Sequence, residues 1–101
     1  MLAEDRPETL RAMSNLAGTF NNHGRWNDAI QLQGKVMEVS IRLQGEEHPD
    51  TLTVMARLAS TFHKKGRWND AMQLEEKVME ASIRLLGEEH SDTLAAIENL
   101  A

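Results

Sequence analysis

A repeat of 42 residues limits what this chain can fold into more than any other feature of its sequence. When residues 5–46 are set against residues 47–88, 26 of the 42 positions are identical. A third copy begins at residue 89, where Asp92-Thr93-Leu94 matches Asp50-Thr51-Leu52. Internal repeats of this length are typical of stacked structural units. We therefore predict one domain over residues 1–101, with unit 1 (about 5–46), unit 2 (about 47–88) and a partial unit 3 (89–101).

Each unit begins with a predicted helix, which we call the A helix. Pro7 and Pro49 stand at its first turn, where a proline costs no hydrogen bond. Apolar residues follow at helical spacing: Leu10, Met13, Leu16, Ala17 and Phe20 in unit 1, and Leu52, Met55, Leu58, Ala59 and Phe62 in unit 2. Gly24 and Gly66 are expected to end these helices. Ser91 is expected to cap the A helix of unit 3.

A second predicted helix in each unit, the B helix, runs from Trp26 or Trp68 to about Leu43 or Leu85. It carries two rows of apolar residues, where a surface helix needs one. In unit 1 one row consists of Ala29, Leu32, Val36 and Leu43, and the other consists of Trp26, Ile30, Met37 and Ile41. We therefore expect each B helix to pack against its own A helix and against the next one. This is the arrangement of an all-α helical-repeat solenoid, in which no unit can bury its faces alone.

Smaller features also repeat between the units. Glu38 and Arg42, like Glu80 and Arg84, are four residues apart, which predicts salt bridges along the exposed side of each B helix. Gly45 and Gly87 are expected to end the B helices. His23 and His63 lie near the A-helix ends, where an imidazole can meet the last carbonyl groups. The methionines at positions 13, 37, 55 and 79 are expected to fill the core.

These residues resemble the tetratricopeptide repeat family over nearly the whole chain. The family's pattern is a large apolar residue, Leu, a small residue, an aromatic, Gly, an aromatic and Ala. It is matched by Met13, Leu16, Ala17, Phe20, Gly24, Trp26, Ala29 and again by Met55, Leu58, Ala59, Phe62, Gly66, Trp68, Ala71. The resemblance implies a right-handed solenoid of antiparallel helix pairs, with five helices in about 2.3 units.

The unit is longer than the common 34-residue repeat of this family. The eight extra residues lengthen the B helix and add the connection Glu46-Glu47-His48-Pro49-Asp50. This long variant is similar to the repeats of kinesin light chains, and near-identical tandem copies are similar to the sensor arrays of NLR-like STAND NTPases. The sequence departs from the family at Met13 and Met55, where many members have tryptophan. Because both ends of the chain fall within a unit, we expect a piece of a longer array.

Composition and charge exclude several classes of function. Eleven Lys and Arg residues against sixteen Asp and Glu residues give a net charge of −5, the opposite of a nucleic-acid binder's basic footprint. The chain has no cysteine, which excludes disulfides, thiolate metal sites and cysteine nucleophiles. No apolar run approaches the roughly 18–20 residues of a membrane span, and the first residues do not form a signal peptide. We expect a cytoplasmic protein that contacts neither nucleic acid nor membrane.

The resemblance also implies where a partner would bind. In this family the A helices line a concave groove, on the face opposite Leu16 and Phe20. The implied peptide-binding residues are Arg11, Ser14, Asn15, Gly18 and Asn22 in unit 1, Thr53, Arg57, Ser60 and Lys64 in unit 2, and Asn99 in unit 3. Asn21, Ala56, His63, Ala95 and Glu98 share this face. Asn15 and Asn99 imply hydrogen bonds to a peptide backbone, and Arg57 implies pairing with a carboxylate.

These groove positions differ between units 1 and 2, whereas the scaffold positions are repeated, and two interpretations stay open. Either a contact surface has drifted after duplication, or any solvent-exposed position drifts. The second interpretation stays open because Gln33 and Gly34, which are predicted on the outer face of the B helix, also differ from Glu75 and Glu76. The two-carboxylate clamp of chaperone-binding relatives is not expected, because Ser14 and Ala56 stand where its lysine would lie.

The acidic linkers and the tryptophans are further candidates for metal or ligand sites. Residue types that bind metals occur in both linkers, Glu46-Glu47-His48 and Glu88-Glu89-His90. Each linker has one histidine, however, and no second histidine follows at helical spacing. This favours a structural connection over a metal site. Trp26 and Trp68 could form a ligand platform, although packing between helices is the preferred interpretation. No serine has a histidine at a spacing that implies a triad, and no glycine-rich phosphate loop is present. We predict neither an enzyme nor a cofactor.

Two functions follow from the sequence. The first is a protein–protein interaction scaffold that binds a peptide or protein segment in the A-helix groove. The second is self-association into a homo-oligomer, head to tail or by exchange of helices. It is suggested because at least three repeats are usually needed for stability. The last predicted helix, 91–101, is also shorter than the roughly 12–15 residues at which isolated helices become marginal, so Leu94, Ile97 and Leu100 must dock on unit 2.

Overall fold

Five α-helices joined by short connections make up the computed structural model of this protein, which describes residues 5–87 and 91–100. The helices are α1 (Pro7–Asn22), α2 (Trp26–Gln44), α3 (Pro49–Lys65), α4 (Trp68–Leu86) and α5 (Ser91–Leu100). Each helix packs against the next along the chain. The A helices of units 1 to 3 are α1, α3 and α5, and the B helices are α2 and α4. The observed architecture confirms the predicted all-α solenoid of helix pairs.

Prolines and glycines set the ends of the helices as the sequence predicted. Pro7 and Pro49 lie in the first turns of α1 and α3. Gly24, just after the capping residue His23, and Gly66 adopt φ angles of +73° and +85°, a region that other residues enter only with strain. In these turns the backbone amide of Arg25 donates a hydrogen bond to the carbonyl of Phe20, and the amide of Arg67 donates one to the carbonyl of Phe62. The N···O distance is 2.8 Å in both. The same two arginines stack over the two phenylalanine rings at 4.5 and 4.7 Å.

Gly45 and Gly87 end the B helices, as predicted, with φ angles of +93° and +86°. The capping role predicted for Ser91 concerns a side chain outside the described part of the structure. None of the five helices among the described residues combines the length and apolar character that a bilayer crossing requires.

The core lies where the B helices are covered on two sides. Helix α2 packs against both α1 and α3, and α4 against both α3 and α5, which confirms the interpretation of the two apolar rows. Leu52 and Met55 of α3 and Ala81 of α4 form a buried cluster, onto which Met37, Leu74 and Val78 pack. The methionines of this cluster fill the core as predicted. Leu43, by contrast, is exposed, because it lies at the rim between the first turns of α1 and α3.

The arginines of the B helices do not form the predicted pairs with Glu38 and Glu80. Arg42 Nη2 lies 2.6 Å from Asp5 Oδ1, and Arg84 pairs with Glu47. In both units the acidic partner precedes the A helix by two residues, so the ion pair joins the last turn of the B helix to the start of its own A helix. An exposed i,i+4 pair contributes only about 0.3–0.5 kcal/mol, too little to hold an arginine on its own helix when another carboxylate lies within reach.

The two ends of the solenoid carry exposed apolar side chains. Leu16 of α1, predicted to belong to the scaffold core, is exposed, because no other described helix covers that face of α1. Toward the other end Trp68, Met72, Leu94 and Ile97 are exposed. The residues at the same positions one unit earlier are Trp26, Ile30, Leu52 and Met55, all of them buried or half-buried. Burial at these positions therefore depends on a neighbouring unit.

Candidate functional site

Two consecutive grooves lie between the A helices, each with a B helix as its floor. We call them the first groove (α1 and α3 over α2) and the second groove (α3 and α5 over α4). Each contains two cavities, a wide one near the starts of the A helices and an inner one deeper between the helices. The cavities of the second groove are lined largely by residues 42 positions after those of the first. The site therefore repeats with the period of the sequence.

The wide cavities have similar sizes, about 440 Å³ in the first groove and about 370 Å³ in the second. The first is lined by Asp5, Pro7, Leu10, Arg11, Ser14, Asn15, Val36, Ser40, Leu43, Gln44, Asp50, Thr53, Val54 and Arg57. The second is lined by Pro49, Leu52, Thr53, Ala56, Val78, Ser82, Leu85, Ala95, Ala96 and Asn99. The first wall contains two arginines and two aspartates, whereas the second contains no charged residue among these. The two wide cavities thus have equivalent linings, but the charged side chains of the first have no counterpart among the described residues that line the second.

The inner cavities differ far more, since the first holds about 20 Å³ and the second about 250 Å³. The first is lined by Ser14, Gln33, Val36, Val54 and Arg57. Residues at the equivalent positions, with two more, line the second: Ala56, Glu75, Val78, Ala96, Asn99, Ser60 and His63. Ala96 and Asn99 are shorter than their counterparts Val54 and Arg57, which leaves the second cavity more room.

Glu75 gives the second inner cavity its acidic side chain. Its side chain is only 10% exposed, and Oε1 accepts a hydrogen bond of 2.9 Å from Nε2 of the half-exposed His63. The helix-capping role predicted for His63 is therefore wrong, because the ring reaches across to α4. The prediction is confirmed for His23, whose Nδ1 donates to the carbonyl of Thr19 at 2.9 Å.

Neutral residues occupy the equivalent positions in unit 1. Asn21 takes the place of His63, and its Nδ2 donates to Thr61 Oγ1 on α3 at 3.0 Å. Gln33 takes the place of Glu75 and is buried, although we predicted it on the outer face of the B helix. Asn21 Oδ1 and Gln33 Oε1 are buried and find no hydrogen-bond partner among the described residues. The positions of His63 and Glu75 are thus neutral in unit 1, where the charged residue lining the inner cavity is Arg57.

Most of the sequence-predicted groove residues line these cavities. Arg11, Ser14, Asn15, Thr53 and Arg57 lie in the first groove, and Ser60 and Asn99 line the second. Gly18, Asn22 and Lys64 line none of the four cavities. Sequence reasoning missed the floor of each groove, including Val36 and Glu75, because it assigned the site to A helices alone. Comparison of the repeats shows that Gln33 in unit 1 corresponds to Glu75 in unit 2, but it does not show on which face of the B helix these residues lie.

The linkers act as connections in the described part of the chain. His48 precedes α3, and its Nδ1 accepts a hydrogen bond from the amide of Asp50 at 3.1 Å, so it caps the helix. The corresponding segment Glu88-Glu89-His90 lies outside the described residues.

Comparison with known proteins agrees with this fold. A kinesin light chain-like protein of Podosopora anserina, with nearly identical TPR-like repeats, is 26% identical with a TM-score of 0.88, and the match covers 99% of this chain and 47% of that one. A variant of that protein, also 26% identical, gives a TM-score of 0.87 over 98% and 47% of the two chains. BtubC from P. vanneervenii is 23% identical, with a TM-score of 0.81 over 98% and 39%. The chain thus spans less than half the length of these structures.

No curated protein matches the chain significantly. The tetratricopeptide repeat family model matches residues 8–84, which include α2, α3 and nearly all of α1 and α4. The long, kinesin light chain-like form of the repeat, inferred from the 42-residue period, agrees with the solved structures above. The chain belongs to the tetratricopeptide repeat family.

Proposed function

We propose that this protein is an interaction scaffold whose two grooves bind one extended peptide segment of a partner protein. The observation that carries the proposal is the repetition of the wide cavity, about 440 and 370 Å³, in consecutive grooves that both border α3. A segment lying across α3 would enter both. Tetratricopeptide repeats generally mediate contacts between proteins, which supports this assignment.

The exposed polar residues of the grooves supply the recognition chemistry. The amide side chains of Asn15 and Asn99 offer both a donor and an acceptor to a peptide backbone. Arg11 and Arg57 offer guanidinium groups that can bind a carboxylate through two parallel hydrogen bonds. We assign no catalytic step to these residues, and we propose a cytoplasmic location for the protein.

Selection of a random peptide library on the chain tests the proposal. The selected peptides are synthesised, and their affinities are measured by fluorescence anisotropy for the wild type and for Asn15→Ala combined with Arg57→Ala. Both side chains are exposed, so the variant is expected to fold. Each lost hydrogen bond to a charged or amide partner is worth about 1–3 kcal/mol, which predicts a loss of affinity of about tenfold or more.

A matched control changes exposed side chains outside the grooves. Gln31→Ala combined with Gln73→Ala alters equivalent positions on the two B helices, which line none of the four cavities. Affinity is expected to stay unchanged in this control. Selected peptides that bind equally well to the groove variant would show that the partner binds elsewhere.

Self-association is a second candidate, favoured by the exposure of Leu16. Its counterpart Leu58 is only 3% exposed because α3 packs against both α2 and α4, whereas Leu16 is 47% exposed. The α5 end presents the complementary kind of surface, with Leu94 and Ile97 exposed. A second copy stacked head to tail would cover both ends with an interface like the one between units 1 and 2.

Light scattering at several concentrations tests this candidate. Head-to-tail association predicts a mass that rises above 11.4 kDa with concentration and returns toward it in Leu16→Glu. Leu43→Glu is the matched control, because Leu43 is equally exposed but lies at the rim of the first groove. A mass of one chain at all concentrations would rule self-association out and leave the grooves to a foreign partner.

A further inference from the structure

We infer that the second inner cavity binds an arginine side chain of the partner. This inference rests on the proposed function, because it names the residue type that one point of the bound segment must carry. The cavity holds about 250 Å³, several times the ~30 Å³ that one water molecule occupies in the liquid. It lies between α3 and α5, with Glu75 of α4 in its wall.

The charge of the wall favours a cation. The carboxylate of Glu75 is nine-tenths buried, and its Oε1 has His63 as a partner, whereas Oε2 accepts no hydrogen bond from the described residues. Burying a charged group is costly unless hydrogen bonds satisfy it. A ligand that donates hydrogen bonds therefore gains more here than at an exposed carboxylate. An anionic ligand is disfavoured by the same charge.

The other walls favour a cation with an apolar stem. Ala56, Val78 and Ala96 are small and apolar, and Ser60 and Asn99 add side-chain oxygens that can accept hydrogen bonds. Arginine and lysine both lay an aliphatic stem along apolar surface while their charged heads find polar partners. The guanidinium group has five donors and no acceptor, so it can reach Glu75 and a second acceptor together.

The first groove supplies the internal comparison that selects arginine. At the equivalent place this protein's own arginine, Arg57, lines the inner cavity beside Gln33, and only about 20 Å³ is left open. In the second groove Asn99 replaces that arginine and Glu75 replaces the glutamine. The space that a guanidinium side chain borders in one groove is thus open in the other, and its wall has gained a negative charge.

An NMR titration with N-acetylarginine methylamide, using a ¹⁵N-labelled chain, tests the inference directly. We expect saturable shifts of the backbone amides of Ser60, Glu75 and Asn99. The amides at the equivalent positions, Gly18, Gln33 and Arg57, are expected to stay unchanged. The citrulline analogue, which has the same shape without the charge, is the matched ligand control and is expected to give no saturable shifts.

Two variants assign the effect to the pocket. Glu75→Gln introduces the residue that this fold already has at position 33, so the variant is expected to fold. Its affinity for the arginine probe is expected to fall about tenfold or more, because the charge-assisted hydrogen bonds are lost. The reverse change is Asn21→His, Gln33→Glu and Arg57→Asn together, which copies His63, Glu75 and Asn99 of the second groove into the first groove. It is expected to add shifts at Gly18 and at the substituted positions 33 and 57.

The outcomes separate this inference from the proposed function. If the probe gives no saturable shifts in the wild type, or binds Glu75→Gln equally well, the inference is overturned, and selected peptides that require Asn15 and Arg57 would still uphold the proposed function. If the probe binds as expected but no groove-binding peptide can be selected, the cation site stands and the proposed function fails. If both hold, replacing one arginine of a selected peptide by citrulline is expected to weaken its binding about tenfold, and only when Glu75 is present.

Discussion

Leu16 and Leu58 occupy equivalent positions of α1 and α3, yet Leu16 is 47% exposed and Leu58 is 3% exposed. Each is followed by an alanine that is buried, Ala17 or Ala59. The two leucines therefore hold the same position in the repeat and differ in what lies next to their helix. Helix α3 has a B helix on either side, whereas α1 packs against one. Neighbouring units, more than the unit itself, decide where this chain has a core.

This difference predicts unequal costs for the same truncation. Leu58→Ala is expected to lower the free energy of unfolding by about 2–5 kcal/mol, since it leaves a cavity in packed surroundings. Leu16→Ala is expected to cost less than about 1 kcal/mol, because half of that side chain already contacts water. Urea unfolding followed by circular dichroism at low protein concentration measures both values. Equal losses would contradict the exposure of Leu16.

The glycine turn at the end of α3 predicts opposite signs for two Gly→Ala substitutions. Gly66 has a φ of +85°, and an alanine there is expected to lower stability by about 1–2 kcal/mol. Gly34 lies within α2, and a Cβ added to it meets open space. Gly34→Ala is therefore expected to raise stability by about 0.5–1 kcal/mol through its helix propensity. Thermal unfolding of the two variants gives the comparison, and two changes of the same sign would refute it.

The buried hydroxyl of Thr61 predicts a further matched pair. Thr61 is fully buried, accepts the hydrogen bond from Asn21 Nδ2 and donates to the carbonyl of Arg57. Thr61→Val is expected to cost about 1–3 kcal/mol, since it leaves the amide of Asn21 without its acceptor in a partly buried place. Thr19, the equivalent residue of α1, is exposed and bonds only to the carbonyl of Asn15. Thr19→Val should stay within about 0.5 kcal/mol in the same urea unfolding experiment.

The two tryptophans are expected to differ in accessibility. Trp68 is 64% exposed, whereas Trp26 is half-buried at the equivalent position. Acrylamide should therefore quench the fluorescence of Trp26→Phe, which retains Trp68, more strongly than that of Trp68→Phe. The same quenching in both variants at low protein concentration would contradict this packing. Protection of Trp68 that grows with concentration would instead indicate that a second copy covers it.

The sequence predicted the helices well because their signals are local. Pro49 and Gly66 mark the ends of α3 within the chain itself, and the apolar spacing gives its face. The partners of long side chains were not predictable in this way. Arg42 pairs with Asp5, 37 residues away, and His63 reaches Glu75 on the next helix.

The floor of the grooves was missed for a related reason. Gln33 and Glu75 are polar, and polarity usually indicates an outward position on a helix. Only the packing of α2 and α4 between two A helices shows that these side chains point into the grooves. The wide cavities were largely anticipated through Arg11, Asn15 and Arg57, because the resemblance carried their positions onto this chain.

Helix α3 borders both grooves, and this has a consequence for how such arrays change. Val54 and Arg57 line the first groove, while Ser60 and His63 line the second. A stretch of DNA coding for one 42-residue unit therefore encodes two half-sites that belong to different grooves. Duplicating, deleting or exchanging a single unit joins two units that were not adjacent before. The groove between them then has two walls that had not faced each other previously. Recognition can change in this way without a single new amino acid.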